Sequence, residues 1–204
     1  DRMLANDMLL PINRDFGTTP DYTRLVSPFF VEQLAKFDQD GKQANDYAVG
    51  YMWGTTGILY NPKFVTDEEA DSWGIIWDDR FEGKILMKDA YRDIFGPMLM
   101  YARYQDILDG KVTREQLMND SSDEAIATVE NLLKAAKKNI AGWEVDFGKE
   151  MMTKKKAYMN VSWRGDAVWA IDEAAAIGMT LKYHVPREGS NVWFDGWVIP
   201  KYAV

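Results

Sequence analysis

Asn191-Val192-Trp193-Phe194-Asp195-Gly196 places an indole ring and a carboxylate two residues apart. If this segment is extended, residues two apart project to the same side, so Trp193 and Asp195 present a π face and a negative charge to one point. A binding site for a small organic cation needs that pair, because the ring covers methylene groups and the carboxylate accepts a hydrogen bond from an ammonium. The same pattern is also typical of a core tryptophan beside an aspartate that caps a turn. The segment alone therefore leaves an amine site and a structural role open.

The composition is that of a globular chain. With 204 residues, 47% apolar and 27% charged, one or two domains with a sizeable core are expected. The net charge of −8 argues against nucleic acid, which needs clustered lysine and arginine. The lack of cysteine excludes disulfides and thiolate chemistry, and a single histidine, His184, excludes multi-histidine metal sites. Eight tryptophans are more than a core usually needs and are typical of a ligand cleft.

Strands and helices alternate through the middle of the chain, which predicts an α/β domain over about residues 56–192. The predicted strands are 84–88, 143–145, 157–163 and 180–185, and the predicted helices are 92–105, 121–136, 147–155 and 164–177. Ser121 and Glu124 predict a capping box, and Gly178 predicts a helix end. Carboxylates are numerous, but the sequence marks no catalytic pair, no nucleophile motif and no phosphate-binding glycine loop. We therefore predict no catalytic residue, no metal site and no cofactor.

The beginning of the chain is less regular. Gly17 and Pro20 are expected to break regular structure, and a helix is expected from Pro28 with Ser27 as its N-cap. Residues 47–61 are rich in strand-forming residues and predict two strands with a kink near Trp53-Gly54. A glycine inside a strand marks a bulge, a bend or the close approach of another group.

Two strand-to-helix junctions add acids and an aromatic residue. Ligands of α/β sheets bind at the carboxyl ends of strands, and Trp163 ends one strand shortly before Asp166. Asp166 also suits the positive end of the following helix, which is the role we favour for it. At the other junction Asp89 is expected to cap the helix. Asp93 is expected near the helix start with its side chain free, serving either the helix terminus or a cleft.

Together these segments resemble the spermidine and putrescine receptors of ABC uptake systems. The matching stretches are Tyr47–Gly57 (YAVGYMWGTTG), Trp77-Asp78 with Phe81–Lys84, Asp89–Phe95, Val161–Ala167 (VSWRGDA), and Pro186–Gly189 followed by Trp193–Asp195 and Ile199-Pro200. They cover nearly the whole chain in the family's order. The resemblance implies a class II periplasmic-binding-protein-like α/β fold with one complete α/β lobe and part of a second. It implies a partial first lobe and hinge entry in 1–53, a contiguous second lobe in 54–194, and a return hinge strand in 195–204.

The resemblance also implies a ligand site between the lobes. Trp193 and Asp195 match the family's aromatic residue and its principal carboxylate for a ligand amine, and Trp163 matches a second aromatic wall. Asp93 matches an acidic position that is normally glutamate. Ala90 stands where some spermidine-binding members carry aspartate, which leaves putrescine and spermidine both open. Further residues expected to line the cleft are Trp53, Asp89, Asp146 and Asp166.

By the same resemblance, the partners are a polyamine and a membrane permease, and the location is extracytoplasmic. The abrupt ends of the sequence fit a piece of a longer receptor whose targeting segment is absent. An exposed apolar cleft face would favour dimers. The alternatives are a receptor of the same fold for a carboxylate, thiamine or a metal, or an α/β enzyme such as a hydrolase. An anionic ligand would call for arginine at the strand ends, where Arg164 is outnumbered by aspartates.

Overall fold

The computed structural model describes residues 2–13 and 24–203, so the expected breakers Gly17 and Pro20 lie outside the described residues. Contacts between Cα atoms divide the chain into two units. The smaller unit comprises residues 1–53 and 194–204, and the larger unit comprises residues 54–193. Each of the two units is compact.

The helices and strands follow one another along the described residues in this order. The helices are α1 (Arg2–Ala5), α2 (Pro28–Ala35), α3 (Asp67–Ala70), α4 (Tyr91–Ala102), α5 (Tyr104–Leu108), α6 (Arg114–Asn119), α7 (Asp123–Ala136), α8 (Gly148–Thr153) and α9 (Arg164–Ala176). The strands are β1 (Leu9–Leu10), β2 (Asp38–Gln39), β3 (Lys42–Gln43), β4 (Ala48–Tyr60), β5 (Ile85–Lys88), β6 (Ile140–Glu144), β7 (Met159–Trp163), β8 (Lys182–His184) and β9 (Val192–Pro200). No helix among these described residues is long and apolar enough to cross a membrane.

The larger unit is built on a mixed sheet with the strand order β4–β7–β5–β6, and β8 also pairs with β4. Strand β5 runs parallel to β6 and to β7, whereas β4 runs antiparallel to β7. All residues of β5 are buried, as expected for a parallel strand that is covered on both faces. This arrangement brings the carboxyl ends of β5, β6 and β7 to one edge of the sheet.

Successive strand residues alternate between two apolar cores on opposite faces of that sheet. Ile85 and Met87 contribute to one core and Leu86 to the other. Helices α4 and α7 close the first core, for example through Met98 and Val129. Helices α8 and α9 close the second core. The larger unit is therefore a three-layer α/β structure, in agreement with the predicted fold class.

The strands that contribute residues to the smaller unit lie in the order β1–β9–β4, and β2 and β3 form a two-stranded hairpin. Strands β4 and β9 each also contribute residues to the larger unit. Strand β1 pairs with the end of β9, with Leu9 opposite Pro200. The ring of Phe30 from α2 packs against the rings of Trp53 and Phe194, at centroid distances of 4.9 and 5.5 Å. These aromatic contacts link α2 to β4 and β9, although Trp53 itself is half exposed.

Two of the predicted helix starts are wrong by one or two residues. The N-cap of α7 is Ser122, whose hydroxyl accepts the N–H of Ala125, because Asp120 already accepts the N–H of Ser122 and sets the turn there. Asp89 does not cap α4, since its N–H donates to the carbonyl of Glu144 and prolongs the pairing of β5 with β6. Helix α4 therefore begins after Ala90.

Other boundaries are closer to prediction. Gly178 has φ of +72° just after α9, which confirms the predicted helix end. Pro28 begins α2 as predicted, although the side chain of Ser27 makes no capping hydrogen bond. Residues 48–60 form one strand rather than the two that were predicted. The helix predicted over 92–105 is divided at Arg103 into α4 and α5.

Candidate functional site

Asp93 is a buried carboxylate that holds several elements of the larger unit together. It lies in the first turn of α4 and is 9% exposed. Its Oδ1 accepts hydrogen bonds from Thr56 Oγ1 at 2.9 Å and Asn191 Nδ2 at 2.7 Å, and its Oδ2 accepts one from Trp163 Nε1 at 2.9 Å. A buried charge needs such partners. The prediction of a free Asp93 side chain is therefore wrong, because three donors from three different segments converge on it.

Trp163 is fixed at its edge and on one face. It is the last residue of β7 and the residue that precedes the first turn of α9, so its side chain lies at the carboxyl end of the sheet. The edge is held by Asp93, and the Lys88 ammonium lies 4.1 Å from the ring centroid. The side chain is only partly buried. Trp163 is therefore an oriented aromatic surface at the strand ends.

Lys88 ends β5 and is 1% exposed, which is rare for a lysine unless its charge is paired. Its Nζ lies 3.0 Å from Glu144 Oε1 and 3.5 Å from Asp166 Oδ2, and it donates to the carbonyl oxygen of Val145. Lys149 binds the other oxygen of Asp166 at 3.0 Å. The two lysines and two acids balance in charge, and of the four only Lys88 and Glu144 are fully buried.

Trp193 lies in β9, and its ring packs directly on the backbone of Gly54. A Cβ atom at position 54 would come within 2.4 Å of Trp193 Cζ2, so only glycine leaves room for the ring in this position. Within the described part of the chain, the buried indole Nε1 of Trp193 has no hydrogen-bond partner. The position of this ring is thus determined by close packing rather than by a polar contact.

The loop before Trp193 is anchored to the larger unit. Glu188 is 2% exposed, and its carboxylate accepts hydrogen bonds from the hydroxyl of Ser72 and the N–H of Trp73. Trp73 Nε1 donates to the carbonyl of Gly189, and Arg114 Nε donates to that of Glu188. These bonds fix the chain just before Asn191, and therefore also the donor that reaches Asp93.

Tyr183 lies beside the same strands and is buried enough to shift its acidity. Burial raises the pKa of Tyr183 to about 12, since the phenolate would lose its hydration. Its hydroxyl donates to the carbonyl of Thr55 at 2.9 Å. The neighbouring His184 places its Nε2 2.8 Å from Asp71 Oδ1.

The other predicted site residues are more exposed or belong to the smaller unit. Asp89 and Asp146 are exposed residues of the larger unit, on either side of the carboxyl ends of β5 and β6. Asp195 and Trp53 belong to the smaller unit, where Asp195 is exposed and Trp53 is 49% exposed. The larger unit thus joins Trp163 to Asp93 directly, and joins Asp93 to the segment of Trp193 through Asn191.

Sequence reasoning missed the residues that hold these side chains in place. Lys88 and Glu144 were not predicted as a pair, although they end adjacent parallel strands and lie opposite each other in register. The signal was the charged residue that closes each of the two strands. Thr56 and Asn191 gave no signal, because single threonines and asparagines near strand ends are common. Gly54 did give a signal, because a glycine inside a strand is one mark of the close approach of another group, here the ring of Trp193.

Comparisons with known proteins agree with this architecture. The family model described as bacterial extracellular solute-binding protein matches residues 9–204. The spermidine/putrescine-binding periplasmic protein of Escherichia coli K12 is 26% identical over 159 residues, which are 78% of this chain and 41% of that protein. The putrescine-binding periplasmic protein of the same organism is 26% identical over 215 residues, with 100% of this chain and 53% of that protein covered.

A solved structure gives the same result. The spermidine/putrescine ABC transporter substrate-binding protein of Streptococcus pneumoniae has a TM-score of 0.72 and is 26% identical, with 98% of this chain and 54% of that chain covered. The chain spans about half the length of the curated relatives it matches. Because the family model covers nearly all of the sequence, the chain belongs to the bacterial extracellular solute-binding proteins.

Proposed function

We propose that this chain forms part of an extracytoplasmic receptor that binds a polyamine such as putrescine or spermidine and delivers it to an ABC permease. The observation that carries the proposal is the pairing of the Trp163 indole with the buried Asp93 carboxylate at the carboxyl ends of the strands. That pairing occurs in a chain whose matched relatives are named for spermidine and putrescine. This site chemistry and the family together support the proposal.

The chemistry of a polyamine fits these side chains. Ammonium groups separated by methylenes call for carboxylates spaced along aromatic walls, and an enclosed ammonium needs an acid because an unpaired buried charge is costly. Asp93 Oδ2 accepts one hydrogen bond, so it retains acceptor capacity for an ammonium. Asp195 is exposed and supplies a second carboxylate, while Trp163 and Trp193 cover the methylenes. No covalent step is required, and the receptor is not an enzyme.

A receptor for an anion is less well supported. A carboxylate ligand requires a cation that is available to bind it, and Lys88 is already paired with Glu144 and Asp166. Arg164 is exposed at the start of α9, but Asp93 and Asp166 lie near the same strand end. The charges at this edge of the larger unit therefore favour a cationic ligand.

Calorimetry on the full-length receptor tests the proposal. Putrescine and spermidine are titrated alongside amino acids, a dicarboxylate, thiamine and divalent metal ions. We expect micromolar or tighter binding of at least one polyamine and no comparable binding of the other compounds. We expect Asp195→Asn to weaken polyamine binding at least about fivefold, which corresponds to about 1 kcal/mol.

The matched control is Asp172→Asn, because Asp172 is an exposed aspartate on α9 that has no place in the proposed site. This control should leave the dissociation constant unchanged. A receptor that binds a dicarboxylate but no polyamine would refute the proposed ligand class. An unchanged dissociation constant for Asp195→Asn would remove that residue from the site.

A further inference from the structure

The surroundings of the Lys88 ammonium are themselves those of an amine-binding site. Two carboxylates, from Glu144 and Asp166, and the face of Trp163 surround Nζ, and the carbonyl of Val145 accepts a hydrogen bond from it. Carboxylates, a carbonyl and an aromatic face are the groups that recognise an alkylammonium. The lysine side chain is itself an alkylammonium on a short methylene chain. The larger unit therefore fills one amine site with its own residue.

This internal cation determines what Trp163 is able to bind. The Lys88 ammonium already makes a cation–π contact with one face of the Trp163 ring. A second cation at a similar distance from the opposite face would lie about 8 Å from Lys88. Two unit charges at that separation repel by about 2 kcal/mol at an effective dielectric of about 20, as large as a good cation–π contact. Trp163 is only partly buried, and with Lys88 over its ring it is thus better suited to contact with hydrocarbon than with a second positive charge.

Lys88 also restricts the orientation of the ring. Without the ammonium, the hydrogen bond from Nε1 to Asp93 would still hold the edge of Trp163, but nothing charged would hold its inner face. The ring could then turn about that single hydrogen bond. Because both Lys88 and Glu144 are 1% exposed, water does not compensate for a loss of the ammonium.

We propose that Lys88 is a positioning and specificity-determining residue of the amine site. Its buried ammonium fixes Trp163 by the inner face and occupies a built cation site, so that Trp163 covers a methylene segment of the ligand while other acids bind its charged ends. The part that concerns the ligand rests on the proposed function. The part that concerns the orientation of Trp163 does not depend on any ligand.

Chemical complementation tests both parts. Lys88→Ala removes the atoms of one n-propylammonium ion, so n-propylamine is the matching probe and 1-propanol is its neutral counterpart. The full-length receptor is labelled with 5-fluorotryptophan, and the fluorine resonance of Trp163 is assigned with Trp163→Phe. The control is Lys84→Ala, because Lys84 lies on the same segment and its Nζ is 5.4 Å from the ring of Tyr158.

We expect Lys88→Ala to shift or broaden the Trp163 resonance, to lower the melting temperature and to weaken putrescine binding at least fivefold. Millimolar n-propylammonium should reverse all three effects with a saturable dependence, whereas 1-propanol should not. Lys84→Ala should leave the Trp163 resonance unchanged. An unmoved resonance in Lys88→Ala, or equal rescue by 1-propanol, would overturn the proposal.

Lys88→Met is a second variant, which fills the volume of the lysine side chain without its charge. It tests whether the ammonium positions Trp163 even if Lys88→Ala does not fold in the presence of n-propylammonium. A Lys88→Met receptor with the wild-type Trp163 resonance would overturn the positioning role. The resonance and the n-propylammonium titration are read without a polyamine. If the wild-type receptor binds no polyamine, the proposed function fails, and the fixation of Trp163 by Lys88 is still decided by these two readouts.

Discussion

Replacing Gly54 by alanine is the sharpest test of how the larger unit positions Trp193. The added Cβ would lie 2.4 Å from Cζ2 and 2.9 Å from Cε2 of the Trp193 ring, whereas ordinary contact begins near 3.4 Å. The ring must therefore retreat by about 1 Å, or the strand must shift. The obstacle is a bulky ring rather than the end of a flexible chain, so relaxation is expensive.

Overpacking of this kind costs about 1–3 kcal/mol, and alanine recovers some of that because it lowers the entropy of the unfolded chain. For the 204-residue chain we expect a net loss of about 1–2 kcal/mol, or a fall in melting temperature of about 2–8 °C. Under the proposed function, the Trp193 ring contacts the ligand, and in the full-length receptor the displaced ring would lose that contact. Because such a contact contributes about 1–2 kcal/mol, we expect polyamine affinity to fall about tenfold.

Gly50→Ala is the matched control, since Gly50 lies in the same strand and a Cβ there would meet no atom within 4 Å. This control should be neutral or slightly stabilising. Urea unfolding of the two variants measures the difference in stability, and calorimetry with putrescine measures the difference in affinity. Equal stabilities and equal affinities for the two alanine variants would refute the packing of Trp193 on Gly54.

Three further predictions concern Asp93, Tyr183 and the length of the chain. Asp93→Asn replaces the carboxylate with an amide group that cannot accept hydrogen bonds from all three donors. The free energy of unfolding in urea should therefore fall by about 2–4 kcal/mol, against less than about 0.5 kcal/mol for Asp172→Asn at an exposed position. Burial raises the folded-state pKa of Tyr183 from 10 to about 12, so its contribution to stability is present below pH 10 and is lost as the pH rises to about 12. Over that interval the unfolding free energy should fall by about 2 kcal/mol more in the wild type than in Tyr183→Phe, a difference that urea unfolding at several pH values measures. Residues 1–204 alone should bind putrescine at least about 100-fold more weakly than the full-length receptor by calorimetry, because the chain spans only about half the length of its relatives; sub-micromolar binding would contradict this.

The arrangement of the elements could be predicted because it depends on patterns that repeat along the chain. The apolar spacing of α7 and the alternation of strands with helices are such patterns, and both appear in the structure. The two helix starts that were wrong depend on single hydrogen bonds. Asp120 accepts the N–H of Ser122 and so moves the cap of α7 by one residue, and no periodicity reveals such a bond.

The candidate site likewise contains residues that the sequence could indicate and residues that it could not. Trp163, Trp193 and Asp195 could be proposed because aromatic and acidic residues carry their chemistry in the side chain and because these positions match the site of the family that the sequence resembles. The supporting groups are ordinary residues, and their roles arise only when strands distant in sequence become neighbours. Lys88 and Glu144 face each other because β5 and β6 are parallel and in register, a relation that neither segment contains by itself.

This division affects how the site should be tested. A change at a proposed ligand contact such as Asp195 should alter affinity with little effect on stability, because the residue is exposed. A change at Asp93 should alter both, because the same carboxylate satisfies Trp163, Thr56 and Asn191 inside the larger unit. A plot of affinity against stability for such variants would therefore separate residues that bind the ligand from residues that hold the site in shape. If Asp93→Asn reduced affinity without reducing stability, the carboxylate would be a ligand contact first and a structural link second.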